Sequence, residues 1–337
     1  MPTDDVILRI EGLNVDIATR AGILHAVRDV DLTVRRGETL GIVGESGCGK
    51  SMTALAVMGL LPRSARRSAR RLEFDGVDLL ELSPAAVRQL RGNRISIIFQ
   101  EPMTALNPTF TVGAQLCDVL RQHRNVSTAQ ARERAVFLLS KVGIDHPEQR
   151  LGQYPHQLSG GLRQRIVIAM ALMCGPALLL ADEPTTALDV TIQAELLRLL
   201  GQLRNEFEMT MLLITHDLGV VSRLADHVAV MYAGEVVEYG DVSQIYLRPG
   251  HPYTRGLLAC LPTPDHPRMT KLASIPGHLP SLTGTRAGCW FYERCGAAME
   301  SCAQAGVRLF EDQSGHRVRC LLAEDAGAAR YAAKVIS

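Results

Sequence analysis

The sequence has little net charge, few lysines and no long hydrophobic segment. Its 36 basic and 35 acidic residues leave a formal net charge of +1 at pH 7, which excludes a polyanion-binding surface spread over the whole molecule. The longest apolar stretch, residues 166–181, is shorter than a membrane span and is broken by Gly175 and Pro176. The first ten residues contain two aspartates and no basic region before an apolar core, so no signal peptide is predicted. We therefore expect a soluble, cytoplasmic protein that reaches a membrane only through partners.

Cysteine, in contrast, is concentrated towards the end of the chain. Four of the eight cysteines fall within 32 residues, at Cys289, Cys295, Cys302 and Cys320. Disulfides are rare in cytoplasmic proteins, so this clustering favours a metal or cluster site over disulfide bonds. The other four cysteines lie among apolar or motif residues, where we expect small buried hydrophobic side chains.

Short apolar runs alternate with segments of helical periodicity over most of the chain. Buried strands are predicted at 39–43, 177–181 and 209–215, and helices at 83–92, 127–142 and 190–203, with Ser83 and Ser127 as N-caps. This alternation predicts an α/β fold with a mostly parallel sheet. Alternating apolar residues near 7–10 and 15–17 predict antiparallel strands at the start.

The length of 337 residues allows two domains, or one domain with an appendage. Residues 101–175 look mainly helical and are inserted between two strands of the α/β core. After Pro252 the sequence becomes rich in proline and turns, and then in cysteine. We predict a first domain at 1–255, a cysteine-rich extension at 256–325 and a tail at 326–337.

A phosphate-binding loop is predicted directly after the first buried strand. The sequence fits GxxxxGK[ST] between a strand and a helix, and its residues are Gly44, Glu45, Ser46, Gly47, Cys48, Gly49, Lys50 and Ser51, followed by Met52. Its glycines allow backbone N–H groups to turn towards an anion, and the helix N-terminus adds partial positive charge. Lys50 would contact the β- and γ-phosphates and the Ser51 hydroxyl would bind Mg²⁺. Lys50 is one of only four lysines in this arginine-rich chain, which suits a site that needs a compact charge.

Two carboxylates end the second buried strand, at Asp182 and Glu183. Ligands of α/β sheets bind at the carboxyl ends of the strands. Asp182 would therefore orient Mg²⁺, and Glu183 would act as general base on the attacking water. His216 follows the third strand and could reach the γ-phosphate from the same edge.

A second glycine-rich motif contains Ser159, Gly160, Gly161 and Leu162. Ser159 is a good N-cap for the helix that begins at the glycines, so hydroxyl and free N–H groups would form a second anion site. With the phosphate loop, this motif resembles the signature of the ABC ATPase family. The resemblance implies a P-loop NTPase (RecA-like) parallel-sheet core with an antiparallel β subdomain, an inserted helical subdomain and, here, a small cysteine-rich extension.

The family resemblance also assigns roles to residues outside the two glycine-rich motifs. Gln100 matches the loop that links Mg²⁺ and the attacking water to the helical insert. Thr186-Ala187-Leu188-Asp189 matches the D-loop, and His216 matches the switch histidine. The family works as a head-to-tail pair in which each signature closes over the ATP of its partner. Two departures are Leu162, where glutamine is usual, and the lack of an adenine-stacking aromatic near residues 17–25.

The end of the chain resembles the oligopeptide and dipeptide importer ATPases, in which four cysteines are associated with a [4Fe–4S] cluster. Four thiolates suit such a cluster. Zinc also accepts four sulfurs, although structural zinc sites use tighter Cys-x₂₋₄-Cys loops than Cys289, Cys295, Cys302 and Cys320 provide, and a site that binds neither is the third alternative.

The resemblance implies an ATP-hydrolysing importer subunit, with di- or oligopeptides as the favoured cargo. Its partners would be a second ATPase subunit, two membrane permease subunits and an extracytoplasmic binding protein, without nucleic acid. A paralogue is favoured as the second ATPase, with a second copy of this chain left open. The implied location is the cytoplasmic face of the inner membrane. The alternatives are a soluble ABC ATPase acting on DNA or ribosomes, and an importer of nickel, an oligosaccharide or an antimicrobial peptide.

Overall fold

A computed structural model describes residues 5–100, 105–185, 189–261, 274–304 and 306–324. The chain forms two compact units. Unit 1 contains Met1–Ile7, Val34–Glu38 and Phe74–Ile214, and unit 2 contains Leu8–Thr33, Thr39–Glu73 and Thr215–Ser337. The predicted tail at 326–337, the start of the predicted helical subdomain at 101–104 and residues 186–188 of the D-loop lie outside the described residues.

The elements follow in chain order. The strands are β1 (Val6–Thr19), β2 (Gly22–Arg35), β3 (Thr39–Val43), β4 (Ala65–Ser68), β5 (Arg71–Phe74), β6 (Val77–Asp78), β7 (Ile95–Ile98), β8 (Leu178–Asp182), β9 (Thr210–Thr215), β10 (His227–Tyr232), β11 (Glu235–Asp241), β12 (Phe310–Glu311) and β13 (Arg317–Val318). The helices are α1 (Lys50–Met58), α2 (Pro84–Leu90), α3 (Val112–His123), α4 (Thr128–Lys141), α5 (Pro147–Arg150), α6 (Gly160–Ala171), α7 (Val190–Glu206), α8 (Leu218–Leu224), α9 (Val242–Leu247), α10 (Pro252–Ala259), α11 (Ser301–Gln304) and α12 (Leu321–Glu324).

Unit 1 contains a parallel sheet of β7, β8 and β9. Ile95 of β7 lies opposite Leu178 of β8, and Asp182 at the end of β8 lies opposite Ile214 of β9. Every residue of β8 and β9 is buried, as a strand covered on both faces requires. The carboxyl ends of these strands therefore lie side by side.

Two helices of unit 1 begin at serine caps that the sequence shows directly. Ser83 Oγ accepts from Ala86 N at the start of α2, and Ser127 forms a capping box with Gln130 at the start of α4. Both predicted caps are confirmed. The side chain binds an N–H three residues ahead, so the interaction is set by local sequence alone.

Unit 2 holds two sets of strands. The long strands β1 and β2 share a sheet with β4 and β5, and β4 runs antiparallel to β1 with Asn14 opposite Ser68. The two short strands predicted near residues 7–17 are one continuous strand, in which Gly12 takes a positive φ and its N–H donates to Asp31 Oδ1.

The second set is built around β10. It pairs in parallel with β3, with His227 opposite Leu40, and antiparallel with β11. The short strand β13 extends this set from β11, and β12 pairs with β13. The fully buried β3 leads directly into the predicted phosphate loop, so the sheet fixes where that loop begins.

Buried aromatic side chains attach the cysteine-rich segment, which is residues 274–304 and 306–324 of the predicted extension, to β10. The ring of Tyr232 lies 4.7 Å from that of Tyr253 and 5.2 Å from that of Phe291. All three belong to one apolar cluster with Trp290 and Val230. The predicted boundary at residue 255 falls inside α10, and the domain limits stay a prediction.

A membrane-crossing helix would need a long apolar stretch. Over the part of the chain that the structure describes, no helix has the length and apolar character for this.

Candidate functional site

The predicted phosphate loop lies in unit 2 between β3 and α1. Two of its glycines cannot be replaced without strain. Gly44 and Gly49 have φ angles of 155° and 108°, and a Cβ atom would lie 2.2 Å from Met231 O or 2.4 Å from Ala26 O, respectively. Only glycine therefore permits this close approach of the loop to the neighbouring backbone.

Lys50 is folded over its own loop. Its side chain is 5% exposed, and Nζ donates to Gly44 O at 2.8 Å and to Glu45 O at 3.0 Å. Helix α1 begins at Lys50 after Gly49, without a side-chain cap, so its first N–H groups favour an anion. Ser51 and Met52 take the next two helical positions.

The remaining loop residues differ in exposure. Ser46 and Gly47 are exposed, whereas Cys48 is buried. Burial raises the pKa of the Cys48 thiol, although nearby Lys50 opposes this. Cys48 is therefore expected to act as a small apolar side chain and not as a nucleophile.

Glu183 and Gln100 come together in unit 1. Glu183 follows β8 with a positive φ of 47°, and its N–H donates to Ile214 O at 2.8 Å. Gln100 follows β7, the neighbour of β8, and its Nε2 donates to Glu183 Oε2 at 3.1 Å. Asp182 is buried at the end of β8. The adjacent parallel strands thus bring three of the predicted residues to one sheet edge.

The signature residues begin α6 in unit 1. Ser159 is the N-cap, as predicted, and its Oγ accepts from Leu162 N at 3.3 Å. Ser159 and Gly160 are exposed, and Gly161 and Leu162 are partly buried. The start of α6 therefore offers exposed backbone beside a hydroxyl.

Gln164 is a buried residue of α6 that the sequence did not single out. Its Nε2 donates to Pro184 O at 2.6 Å, directly after Glu183. The signature helix is therefore tied to the loop that carries the predicted base. No sequence pattern indicates this contact.

The two other predicted residues lie at element ends. Asp189 is the N-cap of α7, where its Oδ1 accepts from Ile192 N at 2.9 Å. His216 follows β9, is exposed and belongs to unit 2. Their predicted roles depend on bound nucleotide or a partner chain and stay predictions.

All four clustered cysteines line one apolar cavity in unit 2, together with His251 and Phe291. Each is a free thiol. Burial raises the pKa of Cys289 to about 11, and the other three thiols add to the shift. Within the described ranges, no three His, Cys, Asp or Glu side chains are arranged to hold a metal ion. The predicted ligands therefore share a cavity without forming a preassembled metal site.

Two family models match the chain. The ABC transporter model matches residues 27–186, and the model for the C-terminal region of oligopeptide/dipeptide transporters matches residues 237–302. Among curated relatives, the dipeptide transport ATP-binding protein DppD of Bacillus subtilis is 49% identical over 94% of each chain. The probable peptide ABC transporter ATP-binding protein y4tR of Sinorhizobium fredii is 47% identical over 95% of this chain and 96% of its own.

Solved structures show the same architecture. The dimeric ATP-binding cassette MJ0796 bound to ADP and Pi has a TM-score of 0.63 and 26% identity, over 70% of this chain and 98% of that chain. The protein cbiO1 from Clostridium perfringens has a TM-score of 0.62 and 29% identity, over 72% and 92%. The predicted cassette fold is thereby confirmed, and the protein is an ATP-hydrolysing cassette.

The chain belongs to the ABC transporter family, as an ATP-binding subunit of its oligopeptide/dipeptide branch.

Proposed function

We propose that this chain powers the import of di- or oligopeptides by hydrolysing ATP. The main support is that one chain matches both the ABC transporter model and the model for the C-terminal region of oligopeptide/dipeptide transporters. The names of similar proteins, which include dipeptide and oligopeptide transport ATP-binding proteins, support this cargo. A nickel, oligosaccharide or antimicrobial-peptide importer, or a soluble ABC ATPase, has no comparable support.

The chain would act as one half of a cassette pair. The dimeric structure of the similar cassette MJ0796 and the exposed start of α6 support a head-to-tail arrangement in which Ser159 faces the partner's ATP. We propose a paralogous ATPase as the partner, with two membrane permease subunits and an extracytoplasmic binding protein completing the importer. The chain would then sit on the cytoplasmic face of the inner membrane.

Within the nucleotide site, the loop at residues 44–52 would bind the phosphates. Lys50 would contact them through Nζ, which has three N–H donors and directs two of them at the carbonyls of Gly44 and Glu45. Ser51, Gln100 and Asp182 supply hydroxyl, amide and carboxylate oxygens, which are the ligands that Mg²⁺ prefers, and bound Mg²⁺ would neutralise developing phosphate charge.

Glu183 would accept a proton from the attacking water. Its hydrogen bond with Gln100 at 3.1 Å fixes the orientation of the carboxylate. His216 would contact the γ-phosphate, as the family resemblance implies, and Asp189 would act at the interface with the partner.

We further propose that the chain binds a [4Fe–4S] cluster through Cys289, Cys295, Cys302 and Cys320. The donor chemistry fits, since four free thiols line one cavity and thiolates are the ligands of such clusters. The thiols would have to turn towards one centre, because their present arrangement does not chelate a metal. The cluster would act as a cross-link for a segment with little regular structure.

Replacing Glu183 by Gln tests the hydrolytic assignment. The amide keeps the shape and can still accept the hydrogen bond from Gln100, but it cannot take a proton. We expect ATP binding to persist while kcat of the assembled transporter falls by about 10²- to 10⁴-fold. A matched control is Glu195→Gln on α7, an exposed carboxylate that pairs with Arg165. Near-normal hydrolysis by Glu183→Gln would show that another group is the base.

A further inference from the structure

Glu45 places a carboxylate inside a loop that binds phosphates. An unpaired carboxylate there would repel the nucleotide, because like charges at short range in a poorly solvated site interact strongly. The side chain of Glu45 is 28% exposed, so water alone does not solvate it fully. The site therefore needs a cation that neutralises Glu45 while leaving Lys50 for ATP.

Arg294 meets this need in unit 2. Its Nη1 lies 2.6 Å from Glu45 Oε2 and its Nη2 lies 2.8 Å from Glu45 Oε1. This is the bidentate geometry in which guanidinium binds carboxylate best. The side chain of Arg294 is only 7% exposed, so solvent weakens the pair little compared with a surface ion pair.

The position of Arg294 is itself fixed by the cysteine-rich segment. Its Nε donates to Pro276 O at 2.8 Å, and its guanidinium carbon lies 5.7 Å from the ring centroid of Tyr232. It is the last residue of a 3₁₀ turn at Tyr292–Arg294, directly before Cys295. Arg294 therefore approaches Glu45 from a defined place and not from a mobile surface.

Two further contacts join the same segment and α10 to the loop. The N–H of Glu45 donates a hydrogen bond to the hydroxyl of Tyr253 in α10, at 2.9 Å. A Cβ atom on Gly47 would lie 3.7 Å from Leu279 Cδ2, so this part of the segment lies beside the exposed turn of the loop. The ion pair of Arg294 is thus one of several contacts that hold the phosphate loop against α10 and the cysteine-rich segment.

We propose that Arg294 is a positioning residue of the nucleotide site, which acts through Glu45 by neutralising its charge and holding the phosphate loop open to ATP. The inference rests on the proposed binding of ATP at this loop. It assigns to the cysteine-rich segment a direct part in nucleotide affinity, since the segment supplies and orients the cation.

The test uses full-length chain and measures the Kd for Mg-ATP by calorimetry, with KM and kcat taken from the assembled transporter. Arg294→Met removes the charge and retains apolar bulk, and we expect Kd and KM to rise about tenfold, with kcat changed by less than about threefold. Arg294→Lys keeps a point charge without the fork, so an intermediate rise is expected. The matched control is Arg286→Met, an arginine of the same segment that pairs with the exposed Glu293, for which Kd should stay within about twofold of the wild type.

The decisive variant is Glu45→Gln combined with Arg294→Met. If Arg294 acts by neutralising Glu45, removing the carboxylate as well should recover at least about fivefold of the lost affinity. A merely structural role of Arg294 predicts no recovery, and that result would overturn the proposal. An unchanged Kd in Arg294→Met would also overturn the proposal. If Arg294→Met does not fold, Kd is measured for Arg294→Lys and for Glu45→Gln/Arg294→Lys. A wild-type Kd in both of these variants would then overturn the proposal. Failure of ATP binding in the wild type, or normal binding in Lys50→Ala, would instead refute the proposed nucleotide site itself.

Discussion

Glu238 is a buried carboxylate of β11 that holds together the end of unit 2. It is 0% exposed and accepts three hydrogen bonds. Gly250 N and His316 Nε2 donate to Oε1 at 2.6 and 2.8 Å, and His251 N donates to Oε2 at 2.8 Å. The carboxylate thus joins the turn before α10 to the loop between β12 and β13.

Replacing Glu238 by Gln changes one oxygen to an amino group. Whichever way the amide lies, at least one backbone N–H, of Gly250 or of His251, then faces a donor and loses its acceptor. A buried unsatisfied donor costs about 1–3 kcal/mol, and the lost charge assistance adds to this. We expect unit 2 to lose roughly 2 kcal/mol of its free energy of unfolding, which corresponds to a fall of about 1 M in the urea midpoint at an m value of about 2 kcal/mol/M.

Trp290 makes this change measurable. It is the only tryptophan of the chain and lies in unit 2, where the Arg28 guanidinium carbon is 3.5 Å from the centre of its ring. Urea unfolding followed by its fluorescence therefore reports on unit 2. The control is Glu311→Gln, a 54% exposed carboxylate of β12 paired with Arg317, which should shift the free energy by less than about 0.5 kcal/mol. Equal midpoints for Glu238→Gln and Glu311→Gln would refute the assignment of stability to the buried carboxylate.

Two further predictions concern the signature and the cysteines. Ser159→Arg should leave ATP binding by the isolated chain intact. It should abolish hydrolysis in the assembled transporter, because the bulk and charge of arginine block the start of α6 from the partner. A loss of ATP affinity in the isolated chain as large as that of Lys50→Ala would contradict this. Anaerobically purified protein should be brown and hold roughly four iron atoms per chain for a [4Fe–4S] centre. Cys302→Ser should lose the iron and weaken ATP binding without abolishing it, because Lys50 remains while the contact of Arg294 with Glu45 loosens. A colourless preparation with stoichiometric zinc would rule out the cluster.

The features that can be predicted from the sequence are those determined by local interactions. The caps at Ser83, Ser127 and Ser159 each bind an N–H three residues ahead, so a short pattern contains the whole interaction. The phosphate loop is likewise contiguous, and its glycines are required by backbone that the strand–loop–helix order brings close. Buried strands such as β8 are evident because every residue is apolar until Asp182.

Contacts between distant segments leave no such pattern. Arg294 and Glu45 are 249 positions apart, and neither residue type nor spacing connects them. Gln164 looks like an ordinary polar residue of α6 until its amide is seen to donate to Pro184 O. Glu238 is one of three acidic residues of β11 in the sequence. Only the fold shows that it accepts hydrogen bonds from two later segments.

The cysteine-rich segment differs from the rest of the chain in composition, but its packing links it to the phosphate loop. Its backbone continues the edge of β2, where His25 N donates to Leu282 O at 3.0 Å, and Phe291 packs on Tyr232 at the end of β10. Since β10 pairs with β3, and β3 leads into the phosphate loop, a displacement of this segment would disturb both the strand neighbour of the loop and the cation on Glu45. A segment with few regular elements transmits such a displacement only if something keeps it rigid. The proposed cluster on the four thiols of the cavity would do this. We therefore expect a treatment that disorders the cavity to loosen the contact between Arg294 and Glu45 and to weaken ATP binding.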